Sequence, residues 1–96
     1  MEWKPIKDYE NYFVSPDGKV KNSLGKIMKP HPNTVSGLLQ IMLWKEGRPK
    51  LFYVHRLVAM AFVHNDTGKN NVYHINGDKQ DNNASNLTWR NGREIR

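Results

Sequence analysis

The sequence predicts an α+β fold in which small β-hairpins precede one short core helix and a further strand. Three observations support this prediction: β-favouring runs separated by turn residues, a stretch after Val54 with helical spacing of apolar residues, and another β-favouring run near Val72. The chain has 96 residues, so we expect a single domain or two very small modules that share one core.

Two hairpins are predicted in the first half of the chain. Residues 12–15 favour a strand, Pro16-Asp17-Gly18 is a strong turn signal, and residues 19–22 alternate charged and apolar side chains. A second hairpin follows, with strands at 38–44 and 51–54 that are joined by a turn at 45–48. Between the hairpins we expect a loop at 31–34.

The apolar period changes after Val54. Leu57, Val58, Ala61 and Phe62 recur at helical spacing, which predicts a core helix of about two turns over residues 55–63. The next residues, 65–71, are too polar to be buried and are expected to form an exposed loop.

The last part of the chain is predicted to contain a strand, a tight turn and a closing helix. Residues 72–75 favour a strand, and Asn76-Gly77 predicts a type I′ turn that reverses it. Ser85 is predicted to cap a closing helix whose inner face carries Leu87 and Trp89. We also expect the tryptophans Trp3, Trp44 and Trp89 in the core, because their neighbours are apolar.

The composition favours a polyanionic partner. Lys and Arg number 15 against 9 Asp and Glu, which gives a formal charge of +6, and the basic residues are spread over the whole chain. The chain has no cysteine, which excludes disulfides, thiolate zinc sites and cysteine nucleophiles. We find no signal peptide and no membrane-spanning run, so a cytoplasmic location is expected.

Two motif blocks occur in a characteristic order. The first is Val54-His55-Arg56-Leu57-Val58-Ala59-Met60-Ala61-Phe62, and the second runs from His74-Ile75-Asn76-Gly77-Asp78-Lys79 through Asn82-Asn83 to Asn86-Leu87-Thr88-Trp89. Together they closely resemble the HNH endonucleases of phage and intron homing type. Residues 3–20 are similar to the short nuclease-associated module that precedes such cores. The resemblance covers nearly the whole chain.

The resemblance implies a ββα-metal core of the His-Me finger type, in which a hairpin and a helix hold one divalent cation against the scissile phosphate. It divides the chain into an N-terminal β module at 1–50 and the HNH core at 51–96. His74 is then the general base that activates water, and Asn86 braces the hairpin so that His74 points correctly. His55 matches the first histidine of the pattern, and either orients the site or only caps the helix.

The metal ligands depart from the family pattern. The position before the catalytic histidine normally carries a ligand, and here it is Tyr73, whose phenol is a poor ligand for Mg²⁺. When the motif blocks are aligned with the family pattern, Glu94 falls near the position of the second metal ligand. Asp78 is a further candidate ligand in the loop that follows His74. The implied cofactor is one divalent cation, Mg²⁺ or Mn²⁺.

Basic side chains on the first hairpin and around the presumed site are candidate phosphate contacts, since lysine and arginine supply the sequence-independent part of DNA binding. They are Lys19, Lys21, Lys26, Lys29, Arg56, Lys79, Arg90 and Arg93.

Two functions follow from these observations. The first is a metal-dependent DNA endonuclease with DNA as its partner. The second is a catalytically degenerate HNH fold that binds DNA or a host protein as a phage-encoded inhibitor or regulator, and Tyr73 favours it. Neither function involves a membrane, and the sequence leaves the oligomeric state open.

Overall fold

Antiparallel strands around one helix make up the computed structural model of the chain, which describes residues 2–65 and 68–90. The helix is α1 (Val54–Phe62), and a single 3₁₀ turn covers Ala84–Asn86. The strands are β1 (Lys4–Ile6), β2 (Tyr9–Val14), β3 (Val20–Asn22), β4 (Ile27–Met28), β5 (His31–Pro32), β6 (Leu39–Lys45), β7 (Arg48–Tyr53), β8 (Asn71–His74) and β9 (Leu87–Arg90). This α+β architecture confirms the predicted fold class.

The first sheet contains β1 to β4 in sequential order. Its β2–β3 hairpin turns at Pro16-Asp17-Gly18, as predicted, and Gly18 adopts a φ of +89°, a conformation that side chains with a Cβ rarely take. The turn is closed by the N–H of Gly18, which donates to the carbonyl of Ser15. The turn of this hairpin contacts Asn82 in the loop between β8 and β9.

The second sheet is built on the β6–β7 hairpin, which confirms the prediction for residues 38–54. The two-residue turn has φ of +52° at Glu46 and +77° at Gly47, the pair of left-handed residues that a type I′ turn requires. The predicted loop at 31–34 is wrong in part, because His31–Pro32 pairs with β6 as a short edge strand.

The prediction that Trp44 lies in the core is wrong, because side chains alternate between the two faces of β6. Ile41 and Leu43 are buried, so Met42 and Trp44 lie on the opposite face of the strand, and Trp44 is 54% exposed. Its apolar neighbours therefore reflect strand alternation and do not place the indole in the core.

Helix α1 confirms the predicted core helix and joins the two halves of the chain. Val54 and Val58 are fully buried on its inner face. The same cluster includes Val14 and Val20 from the first sheet and Leu87 from β9, so one hydrophobic core draws on both halves. In the part of the chain that the structure describes, no helix is long and apolar enough to cross a membrane.

The predicted closing helix that begins at Ser85 is wrong for residues 87–90. One 3₁₀ turn ends at Asn86, and Leu87–Arg90 then forms β9, which pairs with β8 in the order His74 to Leu87 and Tyr73 to Thr88. Thr88 and Trp89 are residue types that favour strands, and pairing with β8 satisfies their backbone groups.

The predicted type I′ turn at Asn76-Gly77 is also wrong. Gly77 has a φ of +79°, but Asn76 is not in the left-handed region, which a type I′ turn requires of both residues. The chain instead returns from β8 to β9 through a long polar loop, residues 75–86. This loop is where the structure concentrates the amide side chains of the second motif.

Candidate active site

Two imidazoles meet where α1 approaches β8. His74 is the last residue of β8 and His55 is the second residue of α1. Their ring centroids are 5.1 Å apart, and the ring of Tyr53 lies 5.5 Å from that of His55. The fold therefore brings together two histidines that are separated by 19 positions in the sequence.

The environment of His55 keeps its imidazole neutral. The residue is 6% exposed. Burial, which has the largest effect, together with the nearby His74 and Arg56, lowers the pKa of His55 from 6.5 to about 4. The N-cap residue of α1 is Tyr53, and it makes no side-chain capping hydrogen bond. The position of His55 beside His74 favours a role in orienting the site over a role in capping the helix.

His74 is held by Asn82, a residue of the second motif block. The Nε2 atom of His74 lies 2.7 Å from Oδ1 of Asn82, which is 5% exposed. Asn82 is eight residues further along the chain, in an amide-rich loop where several asparagines are equivalent by sequence alone. Only the folded path of residues 75–86 distinguishes it from its neighbours.

Asn86 braces the loop through hydrogen bonds to Asn76 and Asp81. Its Oδ1 accepts from the backbone N–H of Asn76 at 3.0 Å, and its Nδ2 donates to the side-chain oxygen of Asn76 at 3.0 Å and to the carbonyl of Asp81 at 2.9 Å. Its own carbonyl accepts from the N–H of Ile75 at 2.7 Å. These bonds hold the strand end that carries His74 against the start of β9.

The acidic side chain beside this brace is Asp81. Hydrogen bonds from the Asn83 side chain and backbone lower the pKa of Asp81, and a further bond from Asn76 acts in the same direction. Asp81 therefore stays ionised at neutral pH as part of the loop framework.

A surface cavity of about 450 Å³ opens beside the two histidines. Its wall carries two cationic side chains, Arg56 and Lys79, and the phenol of Tyr73. None of the described residues that line it has a carboxylate. The lining residues are Leu38, Tyr53, His55, Arg56, Asn71, Val72, Tyr73, His74, Gly77 and Lys79.

Both cations are anchored by backbone carbonyls. Arg56 donates from Nη1 to the carbonyl of Asn70 at 2.8 Å, and its guanidinium lies 5.7 Å from the Trp89 ring centroid. Lys79 donates from Nζ to the carbonyl of Ser36 at 2.7 Å. The wall of the cavity is therefore positively charged and structurally defined.

The remaining predicted phosphate contacts do not line this cavity. Lys19 pairs with Asp17 at 3.7 Å, and Lys21 lies over the Trp3 ring, with its Nζ 4.4 Å from the centroid. Lys26, Lys29 and Arg90 are exposed, the first two beside β4 and the third at the end of β9. Arg93 lies outside the described residues.

The donors around the cavity do not by themselves fit a hard cation. Asp78 is exposed, and its Oδ1 accepts from the N–H of Gln80 instead of facing the cavity. Glu94 lies outside the described residues. Within residues 2–65 and 68–90, no three His, Asp or Glu side chains lie close enough together to hold a metal. Imidazole and phenol beside two cations are a poor set for Mg²⁺, which prefers carboxylate and water oxygens.

Residues 1–44 match the NUMOD4 motif. The DNA endonuclease I-HmuI of Bacillus phage SP01 is 42% identical to this chain over 91 residues, which is 93% of this chain and 52% of that protein. The solved structure described as DNA binding and cleavage by the HNH homing endonuclease I-HmuI superimposes with a TM-score of 0.87 at 40% identity, over 98% of this chain and 55% of the other.

Over nearly its whole length, this chain is similar to HNH homing endonucleases. A further relative, an uncharacterized HNH endonuclease of Acanthamoeba polyphaga mimivirus, is 42% identical over 91 residues, which is 94% of this chain and 27% of the relative. The chain thus spans about half the length of the phage relative and a quarter of the viral one. Enzymes of the HNH family generally depend on a divalent metal ion. These findings confirm the resemblance inferred from the two motif blocks and from the N-terminal module.

Proposed function

We propose that this chain is an HNH-type, metal-dependent DNA endonuclease that hydrolyses phosphodiester bonds. The observation that carries the proposal is the joint position of His74, Arg56 and Lys79 in one open cavity. An imidazole can take a proton from water, and two anchored cations attract a phosphate group to the same place. The similarity to I-HmuI, which is described as binding and cleaving DNA, supports the same substrate class.

In the proposed reaction, His74 is the general base. The attacking water transfers a proton to its imidazole while the water oxygen bonds to phosphorus. The bond from phosphorus to the leaving oxygen then breaks, and that oxygen takes up a proton from solvent. Arg56 and Lys79 compensate the negative charge that grows on the phosphate oxygens. The neutral state of His55 avoids a second positive charge beside the imidazolium that forms on His74.

For the cation, we propose Mg²⁺ or Mn²⁺, in line with the general requirement of the family. Glu94 remains the ligand proposed from the sequence register, and phosphate oxygens of the DNA are natural further donors. The potential metal ligands among the described residues do not form a complete site. The reaction described above therefore uses only side chains of the protein.

The direct test is a plasmid-cleavage assay. Purified protein with Mg²⁺ or Mn²⁺ is expected to convert supercoiled plasmid to the nicked or linear form, and an excess of EDTA is expected to stop the conversion. The products are separated on an agarose gel at several protein concentrations. Plasmid that stays supercoiled with either cation would contradict the proposed activity.

A second candidate function is DNA binding without cleavage, and Tyr73 is the observation that favours it. Tyr73 lines the cavity. It occupies the position before the catalytic histidine, where the family pattern normally has a metal ligand. This function retains the cationic wall, so DNA still binds. A protein with this function could also bind a host protein as its partner.

The second function predicts that Tyr73→Asp creates plasmid nicking that the unaltered protein lacks, because a carboxylate is a ligand that hard cations prefer. Tyr73→Phe is the matched control, since it removes the phenol oxygen without adding a ligand, and it should stay inactive. Gel-shift titrations at low salt should show that all three proteins bind DNA. Efficient nicking by the unaltered protein would instead favour the endonuclease.

A further inference from the structure

The turn between β2 and β3 is a rigid part of the N-terminal module. Ser15 is fully buried, and its Oγ accepts from the N–H of Lys19 at 3.0 Å and also bonds the carboxylate of Asp17. The backbone of Ser15 exchanges a further bond with Lys19, from N–H to carbonyl at 2.9 Å. Residues 15–19 therefore form a well-braced loop at the closed end of the β2–β3 hairpin.

This turn packs directly against Asn82. A methyl group placed on Gly18 would lie 3.0 Å from Cβ of Asn82 and 3.2 Å from its carbonyl oxygen. Two residues later, the N–H of Ala84 donates to the carbonyl of Pro16 at 2.7 Å. Contacts at Asn82 itself and at Ala84 thus hold this part of the loop against the turn, and the Asn82 side chain contacts the ring of His74.

The hydrogen bond from His74 to Asn82 selects one nitrogen of the ring. A carboxamide oxygen accepts hydrogen bonds and cannot donate them. In the neutral imidazole one nitrogen carries the proton and the other does not. Oδ1 of Asn82 faces Nε2 of His74 at 2.7 Å. For a neutral ring, this contact is a hydrogen bond only in the tautomer that carries the proton on Nε2 and leaves the lone pair on Nδ1.

We propose that Asn82, clamped by the turn at residues 15–18, is a positioning residue that holds His74 in its Nε2–H tautomer and makes Nδ1 the atom that accepts the proton of the attacking water. The kinetic part of this inference rests on the proposed function. The tautomer itself is a property of the protein without DNA. The N-terminal module thereby contributes to the chemistry as well as to the core.

The first experiment is NMR of protein labelled with ¹⁵N at the histidine rings. For the unaltered protein we expect a slowly exchanging proton on Nε2 of His74 and the shift of an unprotonated nitrogen at Nδ1. Asn82→Ala should abolish the slow proton, and Asn82→Asp should restore it, because a carboxylate also accepts. Asn83→Ala is the matched control, since Asn83 is exposed and its side chain bonds Asp81.

The second experiment tests the clamp with a matched pair of glycines. Gly18 and Gly25 have φ of +89° and +83°, but a Cβ on Gly25 meets nothing within 4 Å. Gly18→Ala and Gly25→Ala therefore share the backbone strain, and only Gly18→Ala displaces Asn82. We expect loss or broadening of the Nε2 proton signal in Gly18→Ala and an unchanged signal in Gly25→Ala.

Cleavage kinetics complete the test. Asn82→Ala is expected to lower kcat about 10-fold with little change in KM, since a misoriented base weakens the chemical step and leaves binding intact. Asn82→Asp should recover much of kcat and move the acid limb of the pH–rate profile to higher pH. A purely structural role for Asn82 would not move that limb.

Two outcomes would overturn the inference: a proton on Nδ1 of His74 in the unaltered protein, or an Nε2 proton that survives in Asn82→Ala. If the ring signals behave as expected while no variant cuts plasmid, the positioning by Asn82 stands and the proposed endonuclease function fails. The two failures are therefore distinguishable.

Discussion

Replacement of His74 by alanine is expected to lower the rate of plasmid nicking at saturating DNA by about 100-fold or more, because a positioned general base typically contributes 100- to 10,000-fold. The side chain is at the end of β8 and its ring is only half-buried. Truncation should therefore leave the fold and the cationic wall in place. Rates are measured from the decay of supercoiled plasmid with Mn²⁺ in excess.

The matched control for this variant is His31→Ala. His31 is exposed on the edge strand β5, and its loss removes the same side chain without touching the cavity. His31→Ala should cut at the rate of the unaltered protein, and both variants should bind DNA with unchanged affinity in gel shifts. Nicking that persists in His74→Ala would show that another group, or a contaminating nuclease, activates the water.

Replacement of His55 by asparagine is expected to flatten the acid side of the stability profile. The unfolded chain binds a proton at His55 near pH 6.5, whereas the folded protein resists it until about pH 4. Between these values the unfolded state binds more protons, so stability is complete above pH 6.5 and is lost as the pH falls to 4. The pKa difference corresponds to about 3 kcal/mol of unfolding free energy, as an order of magnitude.

The measurement is urea denaturation of the unaltered protein and His55→Asn at pH 7, 6, 5 and 4. The difference between the two curves is the informative quantity, because the lowered pKa of Asp81 removes stability from both proteins in acid. His31→Asn is the control and should follow the unaltered protein. Parallel curves for the unaltered protein and His55→Asn would mean that burial of His55 does not shift its protonation.

Much of the fold was predictable because its local signals agree with its tertiary contacts. Pro16-Asp17-Gly18 and Glu46-Gly47 form the predicted turns, and the apolar spacing after Val54 forms the predicted helix. The prediction was wrong at residues 76–77 and 87–90. There, the turn and helix preferences of short polar segments are weak, and the pairing of β8 with β9 overrides them.

The candidate site was predictable only in part, because its residues come from segments that meet only in the folded protein. His74 and His55 stand out by motif, but their 5.1 Å ring separation arises only when α1 packs against β8. Asn82 had no distinguishing signal among the asparagines of its loop. Its contact with the turn at Gly18 joins residues more than sixty positions apart, and such contacts depend on how the two halves share one core.

By itself, the sequence determined the α+β class, the order of its hairpins and helix, the basic character of the chain and the identity of its two motif blocks. These properties follow from periodicity, turn chemistry and charge, which act locally or sum over the chain. The tertiary structure alone decided that β9 is a strand, that His55 is buried and neutral, and that Asn82 faces His74. Each of these depends on packing between segments distant in sequence, where burial and hydrogen-bond geometry are created only by folding.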